Sequence, residues 1–467
     1  MAMKKLTLID TGFLQIETPE TPMHVGGLHI YQWPEDSGSG FVNELFERFV
    51  GGDEFAPPFN QKLQYPLFKL GLPSLVEDPD FDLNDHISYF KLPEPGSMDQ
   101  LLARVASLHE SLLDPTRPLW ECHLIDGLED RRFALYFKMH HCILDGVGGM
   151  QILEKCLGKS PTTHEVTLPW ELGERKKKKS RSKPGLPTRI YRMIGVATGQ
   201  VKATYELAGA FWHTGRQTLK SGETTLPLPF LCPKTAINQE MTANRCLAVK
   251  TFSLESFKRL GKAAQATVND IVIGVCAGAL HRYLKEINQL PDKPLIALVP
   301  VSIRPKDSDA HGNQVSAILC NLGTHVDDPR QRLQIIKDSS TEGKAIQNNL
   351  SSQAAQEYAM IGGVPMLLAQ LLRLSTYLNP AFNLVISNVP GPRSPLYMQG
   401  AHLMNIYPVS ALYKQQNLNI TVTSYQDSLD FGLIACRDFL SEVGQLATSL
   451  GDALDELNAA FNVKGMA

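Results

Sequence analysis

The chain has 467 residues, 43% of them hydrophobic and 20% charged, with a formal net charge of −3. That length predicts two or three cores, and the balance excludes a disordered or collagen-like chain. The near-neutral charge excludes nucleic-acid binding through bulk field. Eight scattered cysteines (122, 142, 156, 232, 246, 276, 320 and 436) form no CxxC pair and read as reduced thiols of a cytoplasmic protein. Asp10 breaks the apolar run after Lys4 and Lys5, so no secretory signal is predicted. The longest apolar run, residues 271–280, is half the roughly 20 residues a spanning helix needs.

In chain order, Leu101, Val105, Leu108 and Leu112 make one stripe of a helix over 98–114, which Pro115 and Pro118 end. A strand is predicted from Trp120 to Asp126, a turn to Asp130, and a second strand from Arg132 to His140. In the second strand Phe133, Leu135, Phe137 and Met139 alternate with Ala134, Tyr136, Lys138 and His140. A helix follows over 147–157. Residues 158–186 are rich in Pro, Thr, Lys and Ser, with seven cations between Arg175 and Lys183.

A helical pattern resumes over 189–219, and 220–245 is punctuated by proline. Helices are expected near 254–265 and 269–287, then a buried strand at 295–303. Further helices are expected near 329–349 and 353–378, strands near 383–388, 418–424 and 430–436, and a last helix near 438–459. The organisation is therefore two α/β halves, 1–160 and 189–467, joined by a flexible basic linker at 161–188.

The stretch FKMHHCILDGVGGM (Phe137 to Met150) carries the densest chemistry. Adjacent strand residues point to opposite faces, so His140 and His141 are poorly placed to share a metal ion with Asp145. No HExxH pattern accompanies them, and no metal site is expected. Gly146, Gly148 and Gly149 resemble a dinucleotide cradle, but its third position is Gln151. Asp145 suits a helix N-cap, which gives a purely structural reading of the motif. The catalytic reading places His141 on the apolar side with Phe137 and Met139, as a general base at a strand end. No GxSxG or P-loop is present, so such a base would activate substrate directly.

The stretch HHCILDG (His140 to Gly146) resembles the HHxxxDG pattern of the coenzyme A-dependent acyltransferases. Four further stretches narrow the resemblance: DTGFLQIETPETPMHVG (Asp10 to Gly26), PLWECHLIDGL (Pro118 to Leu128), TVNDIVIGVCAGALHRYL (Thr267 to Leu284) and SNVPGP (Ser387 to Pro392). Together they resemble the bacterial wax ester synthase/diacylglycerol acyltransferase family over nearly the whole chain.

The resemblance implies a two-lobed, chloramphenicol acetyltransferase-like α/β fold. Each lobe would be a mixed sheet flanked by helices, with the active site between the lobes. It implies His141 as general base, His140 as support, and Asp145 in a structural ion pair with Arg304. Asn269 is expected to position substrate, with Asp270 beside it. Pro118, Leu119 and Trp120 are expected in a structural or substrate-channel role, and SNVPGP is expected to shape the lobe interface and channel. Met360, Gly362 and Met366 are expected on the wall of a lipid tunnel.

Long-chain acyl-CoA is the expected donor and a fatty alcohol or diacylglycerol the acceptor, with no cofactor. The expected setting is cytoplasmic, peripheral to a membrane or lipid-droplet surface, with the basic linker drawn to lipid headgroups or coenzyme A phosphates. Two other readings stay open on residues alone: a condensation-type transferase fed by a carrier protein, and a non-catalytic lipid-binding protein.

Overall fold

The structure, a computed structural model, describes residues 4–66, 71–163, 166–172, 232–302, 315–348 and 379–463. The basic run, the helix expected over 353–378, and Arg304, Met360, Gly362 and Met366 lie outside the described residues.

The first half contributes β1 (Lys4–Lys5), α1 (Leu8–Ile16), β2 (His24–Gln32), α2 (Phe41–Val50), β3 (Gln61–Gln64), β4 (Ser74–Glu77), β5 (Ile87–Lys91), α3 (Met98–Glu110), β6 (Trp120–Leu128), β7 (Arg132–His140) and α4 (Gly146–Cys156). The second half contributes β8 (Arg245–Ser253), α5 (Leu254–Ala264), α6 (Val268–Glu286), β9 (Ile296–Ser302), β10 (Val315–Asn321) and α7 (Pro329–Asn348). It continues with β11 (Leu384–Pro390), β12 (Tyr397–Met398), β13 (Ala401–Val409), β14 (Leu418–Tyr425), β15 (Ser428–Cys436) and α8 (Val443–Ala460).

These strands form two six-stranded mixed sheets, ordered β12-β13-β2-β7-β6-β5 and β10-β9-β11-β14-β15-β8, and a small sheet β1-β4-β3. The expected two-lobed α/β class is therefore correct. In the second lobe, α6 is buried nearly all round, including Ile271, Val275, Leu280 and Leu284, between the sheet and α8. Burying each such side chain stabilises the lobe by roughly 1.5–3 kcal/mol before chain entropy is counted.

The division into 1–160 and 189–467 needs one correction. The hairpin β12–β13 comes from the second half but pairs with β2 in the first sheet, with Tyr407 opposite Leu28 and Val409 opposite Gly26. Neither β2 nor β13 is evident from patterning. HVGGLHIYQ is interrupted by glycines, and AHLMNIYPV carries a proline and a bulge between Leu403 and Asn405.

The crossing strand is clamped to the second sheet by Asp430 of β15. Its fully buried carboxylate accepts from Ile406 N (2.8 Å), Asn405 Nδ2 (3.1 Å) and Thr251 Oγ1 (2.7 Å). Two residues on, Gly432 lies under Pro408, where a Cβ would overlap the Pro408 carbonyl. Between the sheets, Leu28, Ile30, Ala134 and Tyr136 share one apolar core with Leu247, Val249 and Ile434.

Helix α3 ends at Glu110, short of the expected 114, and Leu112 is exposed. The reason lies on β7. Buried Lys138 donates from Nζ to the carbonyls of Leu108 (2.8 Å) and Ser111 (3.0 Å), ending the helix with a cation.

The Asp430 clamp makes a direct prediction. Asp430→Ala removes a fully buried carboxylate and strands the buried Ile406 N–H, and should cost about 1–3 kcal/mol in urea unfolding. A loss below about 0.5 kcal/mol would mean the clamp does not hold the crossing strand.

Candidate functional site

Strands β2 and β7 pair with Val25 opposite Met139, Gly27 opposite Phe137 and His29 opposite Leu135. All six residues line one face of a pocket that encloses about 1290 Å³ of empty space, its solvent mouth included. His141, the residue after β7, continues that face into the pocket, as the alternation predicts. The opposite wall comes from the second sheet, with Ser387 and Val389 of β11 and Thr421 and Thr423 of β14, while Pro408 of β13 extends the first face beside Gly27. Apolar side chains such as Phe59, Met150, Leu153 and Trp170 close the remainder.

His141 is held through its backbone, its ring and the loop that receives it. Its N–H donates to the Met23 carbonyl at 2.9 Å. Its ring stacks on Phe13 of α1, with centroids 4.2 Å apart and planes 7° from parallel. Glu17, just past α1, accepts from Met23 N at 2.9 Å and so fixes the loop that receives His141. Burial holds the imidazole below the usual histidine range; a backbone hydrogen bond and then the Asp145 carboxylate pull it part of the way back, His140 pushes it down again, and Asp10 adds the smallest pull up. It is therefore neutral at pH 7 and able to accept a proton.

His140 points the other way and is fully buried. Its Nδ1 accepts from Cys142 N at 3.1 Å, so the neutral ring carries its proton on Nε2, 3.4 Å from Glu17 Oε1. Around it lie His24, His109 and Lys138, and Lys138 pairs with Glu121 at 3.1 Å. The two histidines thus serve different environments, one a pocket and the other a polar interior.

Asp145 caps α4 by accepting from Gly148 N at 2.7 Å and also lines the pocket. The following Gly146 allows the two halves to approach: a Cβ there would lie 3.2 Å from Val389 Cγ2. The partner proposed for Asp145, Arg304, is outside the described residues.

The other expected site residues stand behind the pocket wall. Trp120 stacks on Trp170 (5.2 Å) and Phe137 (5.8 Å), both of which line the pocket, and donates from Nε1 to the Phe59 carbonyl at 2.8 Å. The Leu119 carbonyl accepts from His140 N at 3.0 Å, and Pro118 is buried beside them. Asp270 closes a capping box with Thr267 at the start of α6, with Oδ2 accepting from Thr267 N at 2.9 Å and Oγ1 at 2.7 Å. Asn269 accepts a long bond, 3.4 Å, from Asn388 Nδ2 on the face of β11 away from the pocket. Neither Asn269 nor Asp270 lines the pocket.

Sequence reasoning missed Phe13, Thr421 and Thr423. The two threonines carried a readable signal, hydroxyls at alternate positions of the otherwise apolar strand LNITVTSY.

Residues 6–272 match the wax ester synthase/diacylglycerol acyltransferase catalytic domain, and residues 311–458 match the WS/DGAT C-terminal domain. A Mycobacterium tuberculosis protein named probable diacylglycerol O-acyltransferase tgs2 is 40% identical over 97% of this chain and 98% of its own length. The O-acyltransferase WSD of Acinetobacter baylyi is 39% identical over 97% of this chain and 96% of its own. Among solved structures, the wax ester synthase/diacylglycerol acyltransferase of Marinobacter aquaeolei superposes with a TM-score of 0.77 at 34% identity, covering 98% of this chain and all of its own. The first condensation domain of the calcium-dependent antibiotic synthetase shares the fold, with a TM-score of 0.59 at 11% identity, covering 100% of this chain and 98% of its own.

The electrostatics of His141 can be measured on the free protein. Its imidazole should titrate by NMR with a midpoint below 6.5, and Asp145→Asn should lower that midpoint further by removing a nearby negative charge. A midpoint at or above 6.5 in the unaltered protein would contradict the burial argument.

Proposed function

Because the chain belongs to the wax ester synthase/diacylglycerol acyltransferase family, we propose that His141 deprotonates an alcohol while its oxygen attacks a long-chain acyl-CoA in this pocket. The chain is an O-acyltransferase of lipid biosynthesis. The observation that carries the mechanism is the position of His141: a neutral imidazole on the wall of an apolar pocket, held by Phe13 and facing strands of the other lobe.

As the new C–O bond forms, the hydroxyl proton passes to the imidazole. The C–S bond then breaks, and the departing coenzyme A thiolate takes the proton back. A thioester is already activated, so holding donor and acceptor together supplies much of the remaining acceleration, with no acyl-enzyme. The pocket thiols do not compete as nucleophiles, because burial pushes Cys156 up to about 12 and Cys122 higher still. His140 supports the turn through Cys142, and Asp145 sets the start of α4.

The apolar walls suit an aliphatic chain, and the acceptors are a fatty alcohol and diacylglycerol. Acyl-CoA is a substrate, and the reaction uses no cofactor. The enzyme works in the cytoplasm at a membrane or lipid-droplet surface, where its water-insoluble acceptors accumulate. The cationic run from Arg175 to Lys183 favours anionic headgroups and the coenzyme A phosphates.

Purified protein given palmitoyl-CoA with hexadecanol or diacylglycerol should release free thiol and form the ester. No release with either acceptor sinks the reading. His141→Ala should lower turnover by about 10²- to 10⁴-fold. His140→Ala should retain more activity than His141→Ala, and the opposite order would exchange the roles given to the two histidines.

A further inference from the structure

Thr423 stands in register with Val389 across β14 and β11, and Val389 packs against Gly146 just beyond the His141 turn. Thr423 and His141 both line the pocket, one from each sheet. The threonine is fully buried, and its Oγ1 has no hydrogen-bond partner among the described residues. Two residues earlier on the same strand the ordinary arrangement is seen, with Thr421 Oγ1 donating to Asn419 Oδ1 at 2.8 Å. A buried hydroxyl without a partner destabilises the free protein. Its persistence on the wall of the pocket that holds the base points to a partner supplied by substrate.

We propose that Thr423 is a catalytic residue whose hydroxyl donates to the thioester carbonyl oxygen as that oxygen becomes an oxyanion. The proposal rests on acyl transfer in this pocket. When the alcohol oxygen bonds to the carbonyl carbon, His141 takes the alcohol proton and the carbonyl π pair moves onto oxygen. The Thr423 O–H···O bond shortens as charge collects there. When the C=O re-forms and the C–S bond breaks, the imidazolium proton goes to the thiolate, and Thr423 keeps its own proton throughout. A neutral donor fits this wall because it adds no charge to an apolar cavity, yet its bond strengthens as the carbonyl oxygen becomes negative.

The full-length Thr423→Val and Thr423→Ser variants test this with palmitoyl-CoA and hexadecanol. Valine matches threonine in shape and removes only the orphan hydroxyl. Thr423→Val should therefore lose about 10²- to 10³-fold in kcat with both KM values unchanged, while its Tm stays level or rises. Thr423→Ser, which keeps the hydroxyl, should recover most of the rate. Hydrolysis of palmitoyl-CoA by water should fall in Thr423→Val by the same factor, because the carbonyl is common to both reactions.

Wild-type kcat in Thr423→Val overturns the proposal. So does a rate loss that accompanies a lower Tm and is not rescued by serine, which marks a structural role. Loss of alcohol transfer with hydrolysis untouched also overturns it, since the hydroxyl would then hold the acceptor. If the wild-type protein itself releases no thiol with hexadecanol or diacylglycerol, acyl transfer fails and the Thr423 role falls with it.

Discussion

The structure depends on one strand crossing between lobes. β13 leaves the second half of the chain, joins the first sheet beside β2, and is held from below by Asp430 and Gly432 of β15. The Asp430 carboxylate is wholly buried, and burial raises its pKa, so the charged form is tolerable only because backbone and side-chain donors surround it. The clamp fixes how the two sheets meet. That meeting is the site, since β11 and β14 supply the second wall of the pocket and β13 joins it to the first.

Electrostatics divides the two adjacent histidines as sharply as geometry does. The face of β7 carrying His140 looks into a polar interior where Lys138, Glu121, His24 and His109 share hydrogen bonds. His24 and His109 are forced towards neutrality there by burial and, secondarily, by neighbouring cationic groups, with His109 brought down to about 3. The face carrying His141 looks into an apolar pocket. Burial lowers its pKa as well, and here the effect leaves a neutral imidazole on the pocket wall.

The family motifs divide into those that touch the pocket and those that support it. In SNVPGP, Ser387 and Val389 face the pocket, while Asn388 reaches back to Asn269 at the start of α6. The PLW residues form a second layer: the Leu119 carbonyl anchors His140, and Trp120 backs the aromatic wall. Asp270 closes a helix cap. Several short motifs therefore act through strands and caps that set the pocket's shape, at one remove from the reacting atoms.

The sequence by itself determined what depends on local periodicity. The alternation along Phe133 to His140 settled which histidine turns to the apolar face, and Asp145 just ahead of a helical stretch pointed to the helix cap, because both are decided within a few residues of backbone. It also placed β6, β7, α4 and most elements of the second lobe. Only the tertiary structure decided that β13 belongs to the first sheet, that Phe13 stacks on His141, and that Thr423 faces the same cavity from the other lobe. Phe13 and His141 are 128 positions apart, and Pro408 and Gly27 are 381 apart. Their pairing is set by sheet register and lobe packing, which no local pattern in β2 or β13 encodes.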